Sequence, residues 1–133
     1  MAKRSILVVD DDAAWGRIAA ELFAAYKYTA YTAATCAEAV KLLARKKVDC
    51  ILLDYHLTDG KADGVSLAVR NSAKLKNTPI VIISGDEQAE SVSYLQCKAD
   101  SFVLKGAQFE KVLAVVEGAI RQAEDGNGTA AKA

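Results

Sequence analysis

With 133 residues, 52% of them apolar, the chain has the size of one domain and composition enough for a real core, which excludes an intrinsically disordered class. Its 17 basic and 17 acidic residues cancel, so the overall charge points neither to nucleic acid nor to a membrane surface. No apolar run reaches the roughly 18–20 residues of a membrane span, and the opening MAKRSILVVDD lacks the apolar stretch and cleavage site of a signal peptide.

The first element is the strand ILVVD (6–10), which runs straight into three consecutive carboxylates, Asp10, Asp11 and Asp12. AAWGRIAAELFAAY (13–26) is helical, with Trp15, Ile18, Leu22 and Tyr26 on one face at three- and four-residue steps. TAYTA (29–33) is a weaker strand. TCAEAVKLLARKK (35–47) opens with Thr35 and Glu38 at capping-box spacing and continues as a helix. CILLD (50–54) is a buried strand and GVSLAVRNSAKL (64–75) a helix. PIVIIS (79–84) is a strand begun by the only proline, where a missing N–H costs least. DEQAESVSYLQCKA (86–99) is helical, SFVLK (101–105) is the last strand, and AQFEKVLAVVEGAIRQAE (107–124) is the last helix. That helix carries Phe109, Val112, Leu113, Val116 and Ile120 on one face. The remaining DGNGTAAKA is polar and reads as a flexible tail over 124–133, after a domain over 1–123.

Five strands alternating with five helices, the strands almost wholly apolar, predict an α/β fold with a parallel sheet covered on both faces. The expected strand order is 2-1-3-4-5, a doubly wound, flavodoxin-like arrangement. In such sheets ligands bind beyond the carboxyl ends of the strands. The residues at those ends are Asp10, Asp11 and Asp12 on the first strand, Asp54 on the third, Ser84 on the fourth and Lys105 on the fifth. A lone Asp, Ser or Lys there is usually a solvated loop group, but this set shares one rim in one strand order. Clustered carboxylates repel unless a cation sits among them, and oxygen ligands suit Mg2+. Lys105 adds a fixed positive charge and Ser84 a hydroxyl. Asp54, alone on the middle strand, is the natural nucleophile toward a phosphate donor, and attack there would give an aspartyl phosphate.

The stretches ILVVDDD, VDCILLDYHL, PIVIISGD and DSFVLKG together resemble the receiver domains of bacterial two-component response regulators, over residues 5 to about 122. The resemblance implies that Asp10 and Asp11 hold Mg2+ (or Mn2+) together with Asp54 and the backbone carbonyl of His56. It implies that Asp54 is the phosphoacceptor, Lys105 its catalytic lysine, Ser84 the switch hydroxyl and Phe102 the aromatic that follows it inward. A histidine kinase or histidine phosphotransfer protein would supply the phosphoryl group, with small acyl phosphates as substitutes. The domain would catalyse its own phosphorylation and dephosphorylation without being an enzyme toward another substrate. A protein partner would read the face of the fourth helix, fifth strand and fifth helix, and a homodimer through it is compatible. Neither nucleic acid nor membrane contact is expected. The three cysteines, Cys36, Cys50 and Cys97, read as free thiols in a reducing cytoplasm, Cys50 as a core residue.

The chain departs from that family pattern at several points. Thr58 stands where proline is usual, the loop TDGKADG (58–64) is about two residues longer than usual, Gly85 replaces a common alanine, and Gly106 follows the lysine in place of proline. Without proline a cis bond is costly, so the Lys105–Gly106 bond is expected trans or, if cis, strained. Trp15 reads as core packing with a second option of lining the pocket, and His56, the only histidine, as a solvated loop residue. With few residues after the last helix, the expected protein is a stand-alone receiver acting through protein contacts. Two other readings stand beside it. A receiver-like interaction module would ignore phosphate, and a haloacid-dehalogenase-type phosphatase would use Asp10 as nucleophile and Asp12 as acid.

Overall fold

The computed structural model describes residues 3–132, with side chains as far as residue 125. In chain order the first half comprises β1 (Ser5–Val9), α1 (Ala13–Ala25), β2 (Thr29–Ala33), α2 (Cys36–Leu43), β3 (Cys50–Asp54), β4 (His56–Leu57) and β5 (Gly60–Lys61). The second half comprises α3 (Asp63–Arg70), β6 (Ile80–Ser84), α4 (Ala89–Leu95), β7 (Ser101–Leu104) and α5 (Phe109–Lys132). The apolar runs ILVV, CILL and IVII have no polar face to turn to water, and each is buried on both sides. They lie in one five-stranded sheet of order β2-β1-β3-β6-β7, parallel throughout, which is the order expected from the sequence.

Side chains alternate between the faces, so the core divides in two. Ile6, Val8, Leu52, Val81 and Ile83 pack with Phe23 of α1 and Val112, Leu113, Val116 and Ile120 of α5. Leu7, Val9, Ile51, Leu53, Ile80 and Ile82 pack with Leu43 of α2, Val65 and Val69 of α3, and Cys97. The expected inward face of the last helix is therefore observed, with Phe109 half-buried beside it. The helix itself runs past the expected 124, to Lys132. Side chains of the expected tail lie, from residue 126 on, outside the described residues.

The face expected for the first helix is corrected. Ile18 and Tyr26 are 54% and 50% exposed, and Leu22 is exposed too. The buried residues of α1 are Gly16, Ala19 and Phe23. Ala19 and the large ring of Phe23 enter the core from α1, while Gly16, with open space where a Cβ would stand, adds no side chain to it. Phe23 meets Tyr28 and Phe109 edge-to-face at centroid distances of 5.2 and 4.9 Å. Periodicity could not separate the two stripes, because alanine counts as apolar on either.

The long loop is a second difference. It folds back as an antiparallel hairpin, His56 opposite Lys61 and Leu57 opposite Gly60, with Thr58 and Asp59 at the tip. Gly60 leaves the tip at φ 150°, a conformation that side chains disfavour. Ala62 N–H donates to the Tyr55 carbonyl at 2.8 Å and closes the base, while Leu57 and Ala62 bury in the core. The turn formers were visible in the sequence, but two-residue strands have no periodicity to read. No peptide bond among the described residues is cis, so Lys105–Gly106 is trans.

The corrected helix face has a direct test. Phe23→Ala should cost about 3–5 kcal/mol in urea unfolding, as truncation of a buried ring does. Leu22→Ala should cost less than about 0.5 kcal/mol, as exposed positions do. Equal losses would restore the original face.

Candidate functional site

Parallel pairing brings the carboxyl ends of β1, β3, β6 and β7 to one edge, with Val9 opposite Leu53, Asp54 opposite Ile83 and Ser84 opposite Leu104. All strand-end groups singled out in the sequence reach that rim. Asp10 follows β1 and is only 3% exposed. Its Oδ1 accepts the Asp12 N–H at 2.8 Å, which folds the chain sharply before α1. Asp12 then caps α1, its Oδ1 accepting the Trp15 N–H at 3.1 Å. The structural role of Asp12 is thus the cap, a part the sequence signals by an Asp directly before the helix. Asp11 is exposed between them.

Asp54 ends β3 and is 7% exposed. Oxygens of Asp10, Asp11 and Asp54 lie within 4.8 Å of one another. Lys105 Nζ sits 2.7 Å from Asp10 Oδ2 and 3.7 Å from Asp54 Oδ2. The root of that lysine is fixed, since its backbone N–H donates to the Ser84 carbonyl at 2.9 Å. The ammonium also lies over the Trp15 ring, 5.0 Å from its centroid. Trp15 therefore both packs on the core and lines the site, the two options left open by the sequence.

Ser84 is buried, and its Oγ accepts the Asp86 N–H at 3.0 Å, while Asp86 Oδ1 accepts the Gln88 N–H at 2.9 Å. Phe102 stands on β7 opposite Ile82, half-buried against the core on the α2–α3 side. It also lines a cleft of about 580 Å³ with Gly85, Glu90, Leu104 and Lys111. The imidazole of His56 is exposed, edge-on to Tyr55 with centroids 4.8 Å apart, and is not brought into the carboxylate cluster.

The electrostatics follow from this crowding. Burial, then the neighbouring Asp10, push the Asp54 carboxyl up from its ordinary 3.8 to about 6, against the pull of Lys105 and the His56 backbone N–H. Burial alone would lower the Lys105 ammonium, but the bond to Asp10, with Asp54 and Asp12 nearby, raises it. Three carboxylates face one ammonium, and among the described residues Lys105 is the only cation paired with the buried Asp10 Oδ2. A compact all-oxygen donor set with excess negative charge fits a hard divalent cation.

A family model described as "Response regulator receiver domain" matches residues 6–117. The chain belongs to this family. Receiver domains of response regulators bind Mg2+ and interact with histidine kinases or phosphotransfer proteins, and they signal rather than act as enzymes on a separate substrate. Among curated proteins the chain is 31% identical over 120 residues to the regulatory protein VirG of Agrobacterium tumefaciens, covering 89% of this chain and 44% of that protein. It is 26% identical over 118 residues to a putative NtrX-like response regulator of Rickettsia bellii, covering 88% of this chain and 25% of that one. The receiver thus spans less than half the length of these relatives. Its fold is shared with a putative response regulator from Chloroflexus aurantiacus, at TM-score 0.84 and 20% identity over 90% of this chain and 99% of that one. It is also shared with the signal receiver domain of an HD domain-containing protein from Pseudomonas fluorescens, at TM-score 0.85 and 17% identity over 96% and 94%.

The raised Asp54 carboxyl makes a stability prediction. The folded receiver holds the Asp54 proton more tightly than the unfolded chain does, so this group favours folding fully below about 4 and loses that contribution as pH rises through about 6. In chelator at pH 8, Asp54→Asn should therefore stabilise the fold by about 1–3 kcal/mol, and by less at pH 5. Urea titrations at both pH values check it; destabilisation at pH 8 would show that the attraction of Lys105 outweighs the crowding.

Proposed function

We propose that this receiver accepts a phosphoryl group on Asp54 from a histidine kinase or a histidine phosphotransfer protein. The observation that carries the reading is the buried Asp54 carboxylate, flanked by the Asp10 and Asp11 carboxylates and by the Lys105 ammonium at 3.7 Å. Asp10, Asp11, Asp54 and the His56 carbonyl would hold Mg2+ or Mn2+. When bound, the cation supplies charge neutralisation for the oxygens of the transferring group.

An Asp54 oxygen attacks the phosphorus in line with the leaving nitrogen of a phosphohistidine. The new O–P bond forms as the P–N bond breaks, and the electron pair leaves on the imidazole, which takes up a proton. Lys105 pairs with a phosphoryl oxygen, and its attachment at Ser84 keeps it in reach. With a small acyl phosphate the leaving group is the carboxylate, and the domain promotes its own phosphorylation. Water attacking the same phosphorus returns Asp54, so self-dephosphorylation uses the same groups. Ser84 Oγ then bonds a phosphoryl oxygen and Phe102 follows inward, changing the face of α4, β7 and α5. Exposed Tyr94, Leu95 and Leu104 support that face as the one a protein partner, or a second copy, reads. Among the described residues no helix is long and apolar enough to cross a membrane, and Cys36, Cys50 and Cys97 are unpaired. Both facts support a cytoplasmic setting.

Intact mass after incubation with acetyl phosphate tests the reading. One phosphoryl group should add in the presence of Mg2+, and none in chelator or in Asp54→Asn. Lys105→Ala should slow the gain roughly 10²–10³-fold, as loss of one charge-stabilising group does. A gain that persists in Asp54→Asn would move the acceptor elsewhere. Absence of any gain, with a phosphotransfer donor as well, would favour the phosphate-independent module.

A further inference from the structure

The β4–β5 hairpin is too short to hold itself. It has two residue pairs, and an isolated hairpin even of full length is marginal in water. What holds its tip comes from 22 and 23 residues earlier in the chain. The Asp59 carboxylate accepts the Cys36 N–H on Oδ1 at 2.8 Å and the Ala37 N–H on Oδ2 at 3.2 Å. These are first-turn donors of α2, which have no partner within their own helix. Thr35 Oγ1 takes the next, from Glu38, at 3.1 Å, so α2 receives its cap partly from its own chain and partly from the hairpin tip. The two backbone donors also hold the Asp59 carboxyl below the usual carboxylate range.

A second contact reinforces the first. The Cys36 thiol reaches the Lys61 carbonyl at 3.7 Å. The thiol lies against the hairpin and the start of α3, since a Cβ at Gly64 would stand 3.5 Å from Cys36 Sγ and one at Gly60 3.9 Å, ordinary contact distances. The hairpin is thus fastened to α2 at its tip by Asp59 and along one strand by Cys36, while Leu57 and Ala62 bury in the core. His56 opens β4, two residues after Asp54, and its side chain is exposed. Its backbone is therefore placed by the hairpin as a whole and not by packing of its own side chain.

We propose that Asp59 is a positioning residue of the cation site: by latching the hairpin to α2 it fixes the His56 backbone beside Asp54. The proposal rests on the reading of the His56 carbonyl as a cation ligand. It makes the lengthened loop a rigid wall of the site and couples two points of the chain that share no ligand. Such coupling is reciprocal: if the latch favours the cation, the cation tightens the latch.

The test uses the full chain, Mg2+ and NMR. Amide shifts of the rim residues give Mg2+ affinity for wild type, Asp59→Ala and Asp59→Asn, with a thermal melt to show that each variant is folded. Asp59→Ala should bind Mg2+ roughly tenfold more weakly, the loss usual for a group that orients a metal ligand. Asp59→Asn, which keeps one acceptor oxygen, should recover part of that loss. In wild type, Mg2+ should slow hydrogen exchange at the Cys36 and Ala37 amides, a response that a purely structural cap would not give. Wild-type Mg2+ affinity in Asp59→Ala, or exchange at those amides indifferent to Mg2+, would overturn the proposal. If wild type itself shows no Mg2+-dependent shifts, the cation reading fails, and this inference falls with it for that separate reason.

Discussion

Two carboxylates are buried side by side at the end of a parallel sheet, and one ammonium keeps them there. Ionised, Asp10 and Asp54 repel each other across that space, and Lys105, whose Nζ is 2.7 Å from one and 3.7 Å from the other, offsets that repulsion. The ammonium arrives from β7, at the far end of the order β1-β3-β6-β7, and reaches across the rim. Its reach depends on the bond from its backbone to Ser84, and so on the pairing of β6 with β7. The sheet therefore does more than support the site. It brings a repulsive pair together and supplies the charge that makes the pair tolerable.

The excess negative charge gives the site its character. One lysine does not balance three carboxylates, and burial makes the imbalance felt, as the raised Asp54 carboxyl records. A site left short of positive charge in this way is receptive to cations and to anions that bring cations with them. Trp15 contributes on the lysine side, where its ring face offers the ammonium a third, uncharged neighbour.

The strands and the rim were legible because their signals are local. ILVVD, CILLD and PIVIIS are apolar on both faces and end in a chemically distinct residue, and 2-1-3-4-5 is one of the common orders of a doubly wound parallel sheet. The details that escaped depend on partners far along the chain. Which stripe of α1 turns inward is settled by its packing on the sheet and on α5, where Ala19 and Phe23 enter the core and Ile18 and Leu22 stay exposed. The hairpin of the 58–64 loop depends on α2, and Asp59 looks like an ordinary turn residue until the Cys36 and Ala37 amides are set before it. Phe102 was placed by resemblance alone; its position on β7 is read directly from the register with β6, while the inward movement assigned to it rests on phosphorylation.

The hydrogen bonds of Ser84 tie a single torsion angle to the start of a helix. Its Oγ accepts the Asp86 N–H, and Asp86 in turn accepts from Gln88, immediately before α4. Among the described residues the hydroxyl donates its own proton to nothing, so an oxygen arriving on the rim finds that donor uncommitted. Turning the side chain toward such an oxygen gives up the bond from Asp86, and with it the only fastening between Ser84 Oγ and the Gly85–Gln88 segment. Gly85, with open space where a Cβ would stand, offers that segment no steric resistance. One rotation of a two-atom side chain is thereby geared to the freedom of four residues of backbone, and the helix that follows inherits the play.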